Sequence, residues 1–252
     1  MPGTFVLGEP VDLPLQGELR YGFELARLVT DRGFLTPSRH ANAPPVLLIP
    51  GFMAGDPSLA LLRNWVQRRG SDTEVSGIWL NVDCSERAVR GIETRLRQLA
   101  ERSQRRVVLI GQSRGGELAR VVAVRNPDLV STVVMLGSPV LAPLRVGRAV
   151  MAAVRSVARL GDLGMPGVFS SECAVGDCCA AYRDQLRAAV PGDVDAVAVY
   201  SRTDGIVSWH ACLDPGALHV EVGSSHSGMS ANREVYAVLA GILDSEAQRW
   251  SG

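Results

Sequence analysis

Val107-Val-Leu-Ile-Gly-Gln-Ser-Arg-Gly-Gly-Glu-Leu-Ala-Arg120 is an apolar run that ends on a glycine, followed by a serine, a glycine pair and a helix-like pattern. The order of these parts carries the argument. A continuous apolar run bounded by glycine predicts a buried strand, and the residues after Gly116 predict a helix. Between them, Gly111-Gln-Ser113-Arg-Gly115 has the form G-x-S-x-G, a strand-to-helix turn so tight that the serine's neighbours can carry no bulk. Gly111 and Gly115 leave room where strand and helix nearly touch. Such a turn holds the Ser113 hydroxyl above the sheet. It also puts the Arg114 N–H at a helix start, where donors lack intrahelical partners.

The rest of the chain alternates strand and helix patterns. Val46-Leu-Leu-Ile-Pro50 reads as a central strand buried on both faces, and it feeds the small-residue loop Gly51-Phe-Met-Ala-Gly55. Residues 78–82, 133–137, 195–200 and 219–222 read as further strands. Helical spacing covers 18–30, 59–69, 85–103, 114–125 and 233–244. Strands alternating with helices predict an α/β fold: a mostly parallel central sheet with helices on both faces. A chain of 252 residues fits one such domain spanning 1–252. Residues 142–192 break the rhythm and read as a small cap or lid insert. Within it, 145–160 is amphipathic: Arg145, Arg148, Arg155 and Arg159 share one face, and Val146, Val150, Val154 and Val157 line the other. The two readings of that helix are a cap over Ser113 and a helix packed on the sheet with its arginines in water.

Composition narrows the function classes. Formal net charge is +0, so no long-range field draws nucleic acid or an anionic membrane. Every basic residue is arginine; the absence of lysine excludes a Walker lysine, a Schiff-base lysine and a Ser-Lys dyad. The N-terminus has no basic start followed by an apolar stretch, so no secretory signal is expected. No segment approaches the ~20 apolar residues of a membrane span. These features read as a cytoplasmic protein without stable membrane insertion. Cys84, Cys173, Cys178, Cys179 and Cys212 make neither a C-x-x-C pair nor a zinc pattern. They read as free thiols, with one local disulfide among Cys173, Cys178 and Cys179 as the alternative. No cofactor and no metal ligand set is expected, since no G-x-G-x-x-G, Walker or H-E-x-x-H motif occurs.

A serine hydroxyl is a weak nucleophile near neutral pH and needs a base within hydrogen-bond reach, itself oriented by an acid. Ligands of open α/β sheets bind at the carboxyl ends of strands. Asp204, in Ser-Arg-Thr-Asp-Gly-Ile-Val, and His226, in Gly-Ser-Ser-His-Ser-Gly-Met, both follow strands there. Asp193, Asp195 and Asp214 fall before the strand or too far past it. Acyl transfer also needs donors for the oxyanion formed on attack. The Arg114 N–H is one; Phe52 N–H, before Met53 N–H, is the other.

These stretches, together with Pro45 to Asp56 and Val-Val-Met-Leu-Gly-Ser-Pro139, resemble the α/β-hydrolase superfamily, and more closely its bacterial lipase- and esterase-like members. The resemblance spans about residues 44–245 apart from the insert. It implies that Ser113 is the nucleophile, His226 the base and Asp204 the orienting acid of a serine hydrolase acting on carboxylic esters through an acyl-enzyme. It implies a small-molecule acyl ester or thioester as substrate, with Met53 and Gln112 beside it. The same residues would serve a thioesterase or an acyltransferase, and a noncatalytic binding protein could keep the fold. Gln112 and Arg114 depart from the pattern, which usually has an aromatic or histidine and an apolar residue there. A buried Arg114 charge calls for a carboxylate, either Glu117 one turn on or one on the substrate.

Overall fold

The computed structural model describes residues 10–250. The N-terminal residues read above for a secretory signal lie largely outside that range. Six strands form one sheet: β1 (Val46–Ile49), β2 (Thr73–Val75), β3 (Val107–Gln112), β4 (Val130–Leu136), β5 (Asp195–Tyr200) and β6 (Leu218–Glu221). Their order is β2-β1-β3-β4-β5-β6, and every neighbouring pair is parallel.

β1 and the first four residues of β3 are apolar at every position, and β4 is apolar but for Ser131 and Thr132, because both faces are covered. Leu47, Ile49, Leu109, Val133 and Met135 point to one side. They meet Val89, Ile92, Leu96 and Leu99 of α4 (Ser85–Ser103) and Leu118, Val121 and Val122 of α5 (Arg114–Arg125). Val46, Leu48, Val108, Ile110 and Val134 point to the other. They meet Leu28 of α1 (Tyr21–Val29), Leu62 and Trp65 of α3 (Ala60–Arg68), and Leu239 and Leu243 of α9 (Arg233–Arg249). Each fully buried Val, Leu or Ile adds about 1.5–3 kcal/mol to this two-sided core. A short α2 (Arg32–Leu35) follows α1, capped by the Asp31 side chain.

The strand expected at 78–82 does not form. Those residues are irregular, and the edge strand is 73–75 instead. The loop carries its hydrogen bonds to the loop after β1: Asp56 N–H donates to Ile78 O at 2.9 Å and Asn81 N–H to Ala54 O at 2.8 Å. Trp79 is 82% exposed and Leu80 faces outward with it, so of that run's apolar letters only Val82 is buried.

Between β4 and β5 lie α6 (Arg148–Asp162), α7 (Glu172–Val175) and α8 (Ala180–Arg187). α6 keeps its arginines outward, with Met151 and Val157 buried. α8 is pinned to the core by Arg120 of α5. That guanidinium pairs with Asp214 at 2.5 Å and donates to Leu186 O at 2.8 Å and Ala188 O at 2.9 Å. No helix among the described residues is long and apolar enough to cross a membrane.

Candidate active site

Ser113 caps the N-terminus of α5 with φ 54° and ψ −126°. A residue with a Cβ rarely adopts this region, and holding one there costs on the order of 1–3 kcal/mol. The surroundings impose it. Ser113 N–H donates to Leu136 O at 2.8 Å, and Gly116 N–H to Ser113 O at 2.9 Å. A Cβ on Gly111 would stand 2.3 Å from Gly115 O, and one on Gly115 2.3 Å from Ile49 O. Only glycine fits either place, as the motif requires.

Asp204 follows β5 and His226 follows β6. His226 Nδ1 lies 2.7 Å from Asp204 Oδ2, and the two side chains are almost fully buried. Asp204 Oδ1 accepts the N–H groups of Ile206 at 2.8 Å and Val207 at 2.7 Å. The ionised carboxylate places a proton on Nδ1 and leaves Nε2 as an acceptor. Burial works against the imidazolium. The charge of Asp204, the hydrogen bond to it and the charge of Glu18 outweigh burial, and the imidazole pKa stands above its ordinary value. Gly137, with φ +57°, makes room for the pair: a Cβ there would stand 3.2 Å from His226 Nδ1. Leu136, next to Gly137, is the residue that accepts the Ser113 N–H. The acid–imidazole contact is therefore closed, while the Ser113 hydroxyl makes no hydrogen bond among the described residues.

Ser113 opens into a cavity of about 1010 Å³, lined with Phe52, Arg114, Glu117, Val140, Leu141, Leu144, Val150, Val154, Phe169 and Tyr182, among others. Val150 and Val154 of α6 thus share a chamber with the serine. Met53 N–H donates to Asn81 O at 3.3 Å. Phe52 N–H and Arg114 N–H have no acceptor among the described residues.

The side chains expected beside the substrate are otherwise engaged. Gln112 Nε2 donates to His226 O at 3.1 Å and so braces the histidine loop. Met53 is half exposed and does not line the cavity. The Arg114 guanidinium is held by neutral acceptors rather than by a carboxylate: Asn81 Oδ1 at 2.8 Å, Asn81 O at 2.9 Å, Asp83 O at 2.6 Å and Ser85 Oγ at 3.1 Å. It also lies 5.4 Å over the Phe169 ring. Glu117 makes no ion pair with it. Burial pushes the Glu117 carboxyl up to about 8, against the pull of Arg114 and of the Tyr182 hydroxyl, which donates to it at 3.3 Å.

The weaker acid candidates are occupied elsewhere: Asp214 by Arg120, Asp193 by Arg106 and Asp195 by Arg249. His40 faces Asp244, His219 meets Asp214 O, and His210 stacks on Trp209. All five cysteines are free, so the local disulfide does not form. Among the described residues, the group that could hold a metal ion is Cys84, Cys173, Cys178 and Cys179, of which Cys173 lines the cavity.

Two residues of the site carry no sequence signal. Glu18, in the 3₁₀ helix Leu15–Arg20, accepts N–H groups from Gly205, His226 and Ser227. Glu24 of α1 accepts both the N–H and the hydroxyl of Ser225 at 2.8 Å. Their partners lie about two hundred positions away, beyond any local pattern.

A lipase from Bacillus licheniformis, BlEst2 in its mature form, superimposes with a TM-score of 0.60 at 15% identity, covering 82% of this chain and 95% of that one. The metagenomic carboxyl esterase MGS0156 superimposes at 0.64 and 15% identity, over 96% of this chain and 97% of that one. The chain has the α/β-hydrolase fold. A soluble variant of monoglyceride lipase from Saccharomyces cerevisiae shares it too, at a TM-score of 0.55 and 12% identity, over 84% of this chain and 88% of that one. No family model matches the sequence, and no curated protein sequence does. In the α/β-hydrolase fold of this chain, Ser113, Asp204 and His226 stand at the carboxyl ends of β3, β5 and β6.

Proposed function

We propose that this protein is a serine hydrolase that cleaves carboxylic esters through an acyl-enzyme. The observation that carries the reading is the 2.7 Å contact of His226 with Asp204 beside a serine held at positive φ over a large cavity. In the proposed reaction the Ser113 hydroxyl turns toward His226 Nε2, gives up its proton and attacks the ester carbonyl. Asp204 stabilises the imidazolium. The oxyanion forms between Phe52 N–H and Arg114 N–H, the two donors without acceptors. His226 then protonates the leaving alcohol, and water repeats the sequence on the acyl-enzyme. Each oxyanion donor of this kind is worth about 2.7–4 kcal/mol of barrier.

Residues 142–192 act as a cap in this reading, because α6 turns Val150 and Val154 into the chamber. The mostly apolar lining suits an acyl chain or another lipophilic ester. The lipase and esterase names of the similar structures agree with that substrate class.

Labelling with a fluorophosphonate, with Ser113→Ala as control, tests the nucleophile. A panel of p-nitrophenyl esters and acyl thioesters of rising chain length tests the substrate, and added alcohols or amines test acyl transfer. Labelling of Ser113 with turnover of medium or long esters is the expected result. No turnover, with Ser113 unlabelled, overturns it in favour of a noncatalytic protein.

A further inference from the structure

Four cysteine sulfurs converge next to the cavity, whose wall Cys173 lines. Cys84 stands at the N-cap of α4, and Cys173, Cys178 and Cys179 come from the segment between β4 and β5. All four Sγ atoms lie within 4.8 Å of one another. Cys84 and Cys179 are 3.3 Å apart and Cys178 and Cys179 3.9 Å, and none is disulfide-bonded.

Those separations match one ion among four thiolates. A tetrahedron with metal–sulfur bonds of ~2.3 Å has edges of about 3.8 Å, between those two spacings and inside the 4.8 Å that bounds all six sulfur pairs. The sulfurs are too close together for a cluster of several irons to stand among them. Two disulfides would need each pair drawn to about 2.05 Å. From these distances we propose that Cys84, Cys173, Cys178 and Cys179 form a tetrathiolate site for Zn²⁺.

Binding releases four protons and leaves a centre of net charge 2−. The neighbourhood meets that charge. N–H groups of Glu86 and Arg87 in the first turn of α4 are directed at the Cys84 sulfur, and that of Glu86 also at Cys179. The helix N-terminus adds a favourable field. The ligand loop is itself held. The Arg183 guanidinium donates to Cys173 O at 3.2 Å, Val175 O at 3.1 Å and Gly176 O at 2.8 Å.

The ion joins Cys84 to Cys179 across 95 positions. Tyr182, Arg183 and Leu186, which follow on α8, line the cavity. The metal therefore staples this wall to the body of the fold, and this part of the insert stands fixed rather than swinging as a lid. Local sequence hid the site because one ligand is remote and two are adjacent, unlike the paired spacing of common zinc motifs.

The test uses the purified full chain from zinc-supplemented medium. Elemental analysis gives about one zinc per chain, and Co²⁺ exchanged for it shows the intense visible bands of a tetrahedral thiolate site. Removing the ion with a chelator lowers Tm by several degrees, restored by Zn²⁺ alone. Cys178 is exposed, so Cys178→Ser should fold; its zinc affinity falls at least tenfold. Wild-type chain without stoichiometric metal, whether its thiols are all free or paired as disulfides, overturns the proposal. So does Cys178→Ser with unchanged metal affinity and an unchanged Co²⁺ spectrum. None of these readouts depends on hydrolytic activity.

Discussion

Glu18 Oε1 accepts the N–H of His226 at 2.8 Å and the N–H of Gly205 at 3.1 Å. One carboxylate from the start of the chain thus ties the loop of the proposed base to the loop of the proposed acid. Its second oxygen takes Ser227 N–H at 2.9 Å. Burial raises the Glu18 pKa, but these donors outweigh it and hold the group below its ordinary value.

Glu18→Ala should lower kcat by on the order of 10- to 100-fold with a smaller change in KM, because it loosens the His226 loop without touching substrate. Glu18→Gln, which keeps an acceptor, should recover part of the loss. The stability sign follows from the depressed pKa. The contribution of Glu18 is present above its unfolded value near 4.5 and is lost as pH falls through the folded value. Denaturation curves should therefore separate parent from Glu18→Gln at about pH 7 and converge toward about pH 3. Equal separation at both would show that the charge is not what stabilises the loop.

Asp204→Asn should reduce kcat by on the order of 10³–10⁴. The two partners also set the pH profile. Activity needs the neutral imidazole, so the acid limb of kcat/KM in the parent should lie above the ordinary value of 6.5. Removing the carboxylate charge should move that limb to lower pH in whatever activity remains. Movement to higher pH would contradict the assignment of Asp204 as the group that holds the proton on His226.

Glu117 is a carboxyl kept neutral by its surroundings at the cavity wall. Its folded pKa of about 8 exceeds the unfolded 4.5, so its burial costs more stability as pH rises from the lower value to the higher. Glu117→Gln keeps the shape and cannot ionise. The variant should gain Tm relative to the parent at about pH 8.5 and little or nothing at about pH 5. A gain confined to the acid side would mean that the carboxylate is held ionised by Arg114.

Arg120 and Asp214 form an ion pair in which both side chains are 4% exposed. Arg120→Ala leaves the Asp214 charge buried without its partner, and the expected loss is about 3–5 kcal/mol by urea denaturation. Arg120→Ala with Asp214→Ala removes the orphaned charge, and should be less destabilised than the single variant despite the second lost side chain. If the double variant loses more, the pair is not what makes the single change costly.

Some of this structure is legible in the sequence. The elbow at Ser113 announced itself because a sharp strand-to-helix turn excludes side chains at Gly111 and Gly115, and that requirement is local. Asp204 and His226 stood out by their places after strands. The apolar run at 78–82 misled because Trp79 and Leu80 face outward, and the edge strand at 73–75 is too short to show a period. Arg114 suggested a carboxylate partner, whereas Asn81, Asp83 and Ser85 satisfy its guanidinium with neutral oxygens.

Sequence alone determined the order of the central elements β1, β3, α5, β4 and β5, the two-faced apolar centre of the sheet and the strained turn, since each follows from residues within one turn or one strand of each other. Tertiary structure alone decided that Glu18 and Glu24 hold the histidine loop, that Gln112 braces it, and that four cysteines meet. The contacts of Cys84 with Cys179, Gln112 with His226 and Glu18 with Ser227 join positions 95, 114 and 209 apart, and side-chain chemistry at one end carries no mark of its partner until the sheet brings the two together.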